Sequence, residues 1–144
     1  MNTLDPVESP CVCATLRMAT RAVARVYDQA LASHGLRTTQ FSILARLDAL
    51  GPASVGDLAA RLAMDRTTLA REAAPLVRAG LVEERTGEDR RRRVLALSPK
   101  GLASLETARP AWRAAQRRVR DELGYERTQG LLGELRALLG AVRA

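Results

Sequence analysis

Apolar residues return along this chain at intervals of three and four, and at one place the interval shortens to two. Val12, Leu16, Ala19, Val23, Val26 and Ala30 mark one face of a helix that ends near Gly35, because residues three or four apart stack on the same side of a helix. A second helix, capped by Thr38 or Thr39, carries Phe41, Leu44, Leu47 and Leu50 and stops at Gly51-Pro52. Ser54-Val55-Gly56-Asp57 reads as a capping box, the serine oxygen meeting the backbone N–H three residues on and Asp57 reaching back, and it starts a short third helix, SVGDLAARL. Asp65 can cap a fourth helix that turns Leu69, Ala73, Leu76 and Val77 inward and ends at Ala79-Gly80. Pro75 removes one of its backbone hydrogen bonds, so a bend is expected there.

The shorter interval comes next. Leu81 to Arg85 and Arg93 to Leu97 are β-like runs flanking TGEDRRR, a hairpin with a long charged tip. From Ser98-Pro99 onward the helical spacing resumes through Leu102, Leu105, Ala108, Trp112, Ala115, Val119 and Leu123, with a kink expected at Pro110 and a stop at Gly124. Leu131, Leu132, Leu135, Leu138, Leu139 and Val142 stripe a last helix. The expected organisation is an arm at 1–10, a helix within 11–35, a compact unit at 36–98 and helices at 99–144. The fold class is mainly α with a small β-hairpin (α+β).

Composition sharpens this picture. A chain of 144 residues holds one compact domain, or a small one with an extension. One Trp, two Tyr and one Phe leave the packing to Leu, Ala and Val, which favours helices. The net charge is +7, and Lys100 is the single lysine. Every other cation is a planar guanidinium suited to phosphates and base edges, although a GC-rich genome also produces that bias. Arg90 to Arg93 are consecutive, and like charges packed so tightly repel unless an anion lies against them. No apolar run of about 18 residues exists, and MNTLDPVESP lacks the order of a signal peptide, so a cytoplasmic protein with no membrane partner is expected. Cys11 and Cys13 stand too close for a low-strain bridge within one chain and are too few for a zinc site.

Two short helices joined by a tight turn, the second cationic at its start, suit entry into a DNA major groove about 12 Å wide. Arg66, Thr67, Thr68 and Arg71 stand at that start. A β-ribbon that follows within a few residues can lie along the adjacent minor groove, whose negative potential draws arginine. Asp89 in the tip either orients a neighbouring arginine by a charge-assisted hydrogen bond or serves the turn through backbone bonds.

MDRTTLAREAAPLVRAGLV followed by GEDRRRRVLALSPKG resembles the recognition helix and wing of the MarR family of winged helix-turn-helix transcriptional regulators. The resemblance covers roughly residues 11–142. It implies that Arg66, Thr67, Thr68 and Arg71 read the major groove, that Arg91, the second basic residue after Asp89, enters the minor groove with Arg90 and Arg93 beside it, and that the flanking helices form a dimer interface. Arg92 exceeds the family's usual wing pattern, and REAAPL is less polar than its counterpart in relatives.

The apolar stripes of the first and last helices exceed what one small winged unit covers, so a homodimer is expected, its two reading helices meeting half-sites of a pseudo-palindromic operator. The family couples an effector to release of double-stranded DNA, which makes a repressor the leading expectation. A small aromatic or carboxylate effector could be lined by Cys11, Arg17, His34, Phe41 and Trp112. Alternatively Cys11 and Cys13 sense oxidants, with Arg17 one turn along favouring a thiolate. A metal held by both cysteines and His34 is disfavoured by distance along the helix. No nucleophile with a base, phosphate loop or carboxylate pair suggests an enzyme, and no cofactor is implied. Non-specific nucleic-acid binding is the remaining class, though few aromatics are available to stack on single strands.

Overall fold

The structure is a computed structural model describing residues 11–89 and 91–143; the expected arm at 1–10 and the candidate Arg90 lie outside the described residues. In order, the elements are α1 (Val12–Leu31), a 3-10 turn (Ala32–His34), α2 (Thr38–Leu50), β1 (Ala53–Ser54), α3 (Val55–Arg61), α4 (Arg66–Arg78), β2 (Val82–Thr86), β3 (Arg93–Leu97), α5 (Pro99–Leu123) and α6 (Tyr125–Arg143).

Local chemistry accounts for most of these boundaries. Gly35, at φ 68°, turns the chain out of the 3-10 turn in the left-handed region that a Cβ disfavours. Ser54 caps α3 by accepting the Asp57 N–H at 3.1 Å, and Ser98 caps α5 by accepting that of Gly101 at 2.9 Å. The start of α2 departs from expectation, because Thr38 is already helical. Its N–H donates to Asp28 Oδ1 on α1 at 2.7 Å, while Gln40 Oε1 accepts the Arg37 N–H at 3.1 Å. A carboxylate ten residues back thus satisfies the N–H of the first helical residue, one of the orphan donors of a helix start.

Neither proline ends its helix. α4 runs through Pro75 and α5 through Pro110. Each loses one hydrogen bond, but Ala73 and Leu76 beside the first, and Leu105, Ala108 and Ala115 around the second, are buried against the rest of the molecule and hold the backbone helical.

The hairpin belongs to a three-stranded antiparallel sheet of order β1-β3-β2. Ala53 and Ser54 pair with Leu95 and Val94, and the outer strands run from Val82 opposite Leu97 to Thr86 opposite Arg93. Leu31, Ile43, Leu44, Leu58, Leu69 and Leu105 form the centre of the core, each with no exposed surface. Trp112 on α5 stacks on Phe41 with ring centroids 5.6 Å apart. The base of the hairpin is locked to α5: Ser98 Oγ donates to the Gly80 carbonyl at 2.6 Å, and a Cβ on Gly101 would stand 2.0 Å from the Leu81 carbonyl oxygen. Outside this core, Val12, Leu131, Leu139 and Val142 face solvent. Among the described residues no helix is long and apolar enough to cross a membrane.

Candidate nucleic-acid interface

Asp65 sets the start of α4. Its carboxylate accepts the Thr68 N–H at 2.7 Å and the Thr68 hydroxyl at 2.9 Å. These bonds, with a smaller attraction from Arg71, hold the carboxyl below its ordinary pKa. The Thr68 hydroxyl is therefore engaged in the cap, whereas Arg66, Thr67 and Arg71 are exposed. The Arg66 guanidinium lies across Gly56 of α3, where an added Cβ would come within 2.9 Å of Arg66 Nη2.

The hairpin tip is shaped by backbone bonds. Asp89 Oδ1 accepts the Arg91 N–H at 3.1 Å. The Asp89 carbonyl accepts the Arg92 N–H at 2.9 Å, and the Arg92 carbonyl accepts that of Gly87 at 3.0 Å. The Asp89 side chain thus serves the turn, as aspartate reaching the N–H two residues on commonly does. Arg93 pairs across the hairpin with Glu84, and Arg85 pairs with Glu83 at 3.0 Å. Both pairs are solvent-exposed and contribute little to stability. Arg91 and Arg92 form no ion pair among the described residues.

Helix start and hairpin meet in a cleft of about 230 Å³ lined by Ser54 to Asp57, Arg66 and Arg91 to Arg93. Among the described residues its lining carries four arginines and one acidic residue, Asp57, and of the four only Arg93 is engaged elsewhere, with Glu84. Such an arrangement favours an oxyanion, since each guanidinium presents a planar fork of donors. The wall from Ser54 to Asp57 was not foreseen in the sequence; a glycine two residues past a serine cap is its one local sign. Glu72 was also missed. Its side chain, 17% exposed, accepts from Arg37 Nη2 at 2.9 Å and from the Thr39 hydroxyl at 3.1 Å.

The five effector candidates are spread out. Phe41 and Trp112 share a cavity of about 290 Å³ with Ser42, Arg46 and Leu62. Cys11 and Arg17 are exposed on the first turns of α1, and His34 is half-buried in the 3-10 turn; none of these three lines that cavity. A larger apolar groove of about 400 Å³ lies between α1, α5 and α6, with Leu16, Val23, Tyr27, Leu131 and Leu135 in its walls. Tyr27 donates to Gln116 there, and burial raises its pKa. Both thiols are free, and Cys11 Sγ caps α1 by accepting the Ala14 N–H at 3.4 Å. Among the described residues no three His, Cys, Asp or Glu side chains gather into a metal site.

A small sheet whose hairpin flanks the second of two short crossed helices defines a winged helix-turn-helix. The profile of the MarR family matches residues 34–92. The M. tuberculosis transcriptional regulator MosR, solved in complex with DNA, is 37% identical, with 94% of this chain and 100% of that one covered and a TM-score of 0.81. A probable transcriptional regulator from Pseudomonas aeruginosa is 30% identical, covering 88% and 96% of the two chains with a TM-score of 0.80. The transcriptional repressor CouR, bound to a 23-mer DNA duplex, is 26% identical, covering 96% and 99% with a TM-score of 0.82. No protein with a curated description matches the sequence. The chain belongs to the MarR family of transcriptional regulators.

Proposed function

We propose that this protein is a sequence-specific regulator that binds a pseudo-palindromic operator in double-stranded DNA as a homodimer, represses transcription and is released by a small effector. The observation that carries this reading is the cleft joining Arg66 of α4 to Arg91, Arg92 and Arg93 of the hairpin. It makes helix start and wing one cationic surface, as contact with consecutive grooves requires. Arg66, Thr67, Thr68 and Arg71 approach the major groove, Arg91 enters the minor groove, and Arg90 and Arg93 stand on the backbone beside it. The DNA-bound states of MosR and CouR support the same reading.

Residues 36–98 are the reading unit, and 11–35 with 99–144 the dimerisation parts, because the uncovered apolar residues of α1 and α6 gain about 25 cal/mol per Å² when a second copy covers them. The chain works in the cytoplasm, beside its DNA. The effector is a small aromatic or carboxylate compound, and the Phe41–Trp112 cavity offers it a ring to stack on and the Arg46 guanidinium to pair with. A second reading, oxidant sensing by Cys11 and Cys13, is favoured by the exposure of both thiols at the start of α1. Replacing both by serine abolishes oxidant-driven release under that reading and leaves it intact under the first.

Fluorescence anisotropy with the duplex upstream of the protein's own gene, against unrelated competitor at several salt concentrations, tests the main proposal. Preference for the first duplex is expected. Equal affinity for both assigns the charge to non-specific nucleic-acid binding instead.

A further inference from the structure

Three successive residues at the start of α2 hold hands with two other helices. On one side Asp28 Oδ1, near the end of α1, accepts the Thr38 N–H at 2.7 Å. On the other, one oxygen of Glu72 on α4 accepts both from the Thr39 hydroxyl at 3.1 Å and from Arg37 Nη2 at 2.9 Å. Apolar packing also joins α2 to α4, both of which supply residues to the common core, but it is non-directional. Hydrogen bonds fix orientation, because they weaken steeply as their angle closes. A polar joint of a few atoms thus connects α1, the start of α2 and α4.

We infer that Asp28, Thr39 and Glu72 are positioning residues that transmit the setting of α1 to the reading helix α4 through the first turn of α2, without touching DNA themselves. Both cavities described above border the same joint. Thr38 lines the groove between α1, α5 and α6, and Phe41, one turn along, stacks on Trp112. An occupant of either cavity, or a change in the angle of α1, meets the start of α2 and so biases α4, as coupling through a packed two-sided element requires. The link to DNA affinity rests on the function proposed above; the mechanical link does not.

Amide hydrogen exchange on the full-length protein separates the two. Asp28→Ala is expected to speed exchange of the amides of residues 69–74 in α4, which Asp28 does not touch, by about 2- to 30-fold, the range of known couplings. Asp28→Asn keeps the accepting oxygen and is expected to restore slow exchange. Thr39→Val, a milder change that removes one bond and keeps the side-chain shape, is expected to speed the same amides less. Faster exchange confined to the α1–α2 junction, a uniform rise in every element, or Asn behaving as Ala overturns the relay. On the preferred duplex, Asp28→Ala and Thr39→Val are expected to lower affinity with an unchanged salt slope, since no phosphate contact is lost; a steeper or shallower slope also overturns it. Failure of the unaltered protein to prefer any duplex overturns the proposed function, and the exchange result still decides the relay.

Discussion

The segment from α2 to β3 and the flanking helices α1 and α6 draw on the same Leu, Ala and Val, yet dispose of them differently. α2 alone buries Gln40, Phe41, Ile43, Leu44 and Leu47, whereas α1 buries only Leu31 and α6 only Thr128. Leu139 and Val142 stand 46% and 71% exposed. A stripe of one period thus has two destinations, the protomer's own core in the middle and, on the proposed reading, a second copy at the ends. Stability of the protomer and assembly of the dimer are then separable by mutation.

The largest expected effect falls in the middle. Leu44→Ala, at a position with no exposed surface, is expected to lower unfolding free energy by about 2–5 kcal/mol through lost transfer and a cavity, read by urea denaturation. Gly101→Ala drives a methyl against the Leu81 carbonyl and is expected to cost about 1–3 kcal/mol by overpacking. Arg91→Ala tests the surface rather than the core: affinity for the preferred duplex is expected to fall by about 1–3 kcal/mol, the salt slope to drop by about one, and the melting temperature to hold. An unmoved affinity would mean that another arginine of the tip makes the contact.

Asp65→Ala removes the cap of α4 and is expected to lower the melting temperature by a few degrees. Its pH signature is specific. Bonds from Thr68 depress the folded-state pKa below the ordinary 3.8, so the cap's contribution is present above that value and lost as pH falls below it through the folded one. The variant should show a shallower loss of stability on that acid limb. The smallest stability change is expected for Leu139→Asp, within about 0.5 kcal/mol for the protomer, while sedimentation shows loss of the dimer. If it unfolds the protein as Leu44→Ala does, the contrast between middle and ends collapses.

Elements whose signals are local were legible before any coordinates. Ser54 and Asp65 cap the helices expected of them, and the paired runs around TGEDRRR form the hairpin. What escaped was set at a distance. β1 has two residues, too few to show alternation. Asp28 lies ten residues from Thr38, and Glu72 more than thirty from Arg37 and Thr39, so no spacing rule announces either pairing. Asp89 accepts the Arg91 N–H within its own turn, one of the two roles that sequence leaves open. The wall that Ser54 to Asp57 adds to the cationic cleft appears only when α3 is docked beside the hairpin.

The helix capped by Ser98 joins these two regions. α5 is 25 residues long, about 37 Å at 1.5 Å per residue, and its first turn is wedged so tightly under the hairpin that not even a methyl fits at Gly101. A rod clamped at one end behaves as a lever: pivoting it by about 5° where it meets α6 swings the clamped end, and the hairpin riding on it, by roughly 3 Å over that length. Such a displacement is comparable to the length of a hydrogen bond, enough, on the proposed reading, to take an arginine of the hairpin out of reach of a base or phosphate.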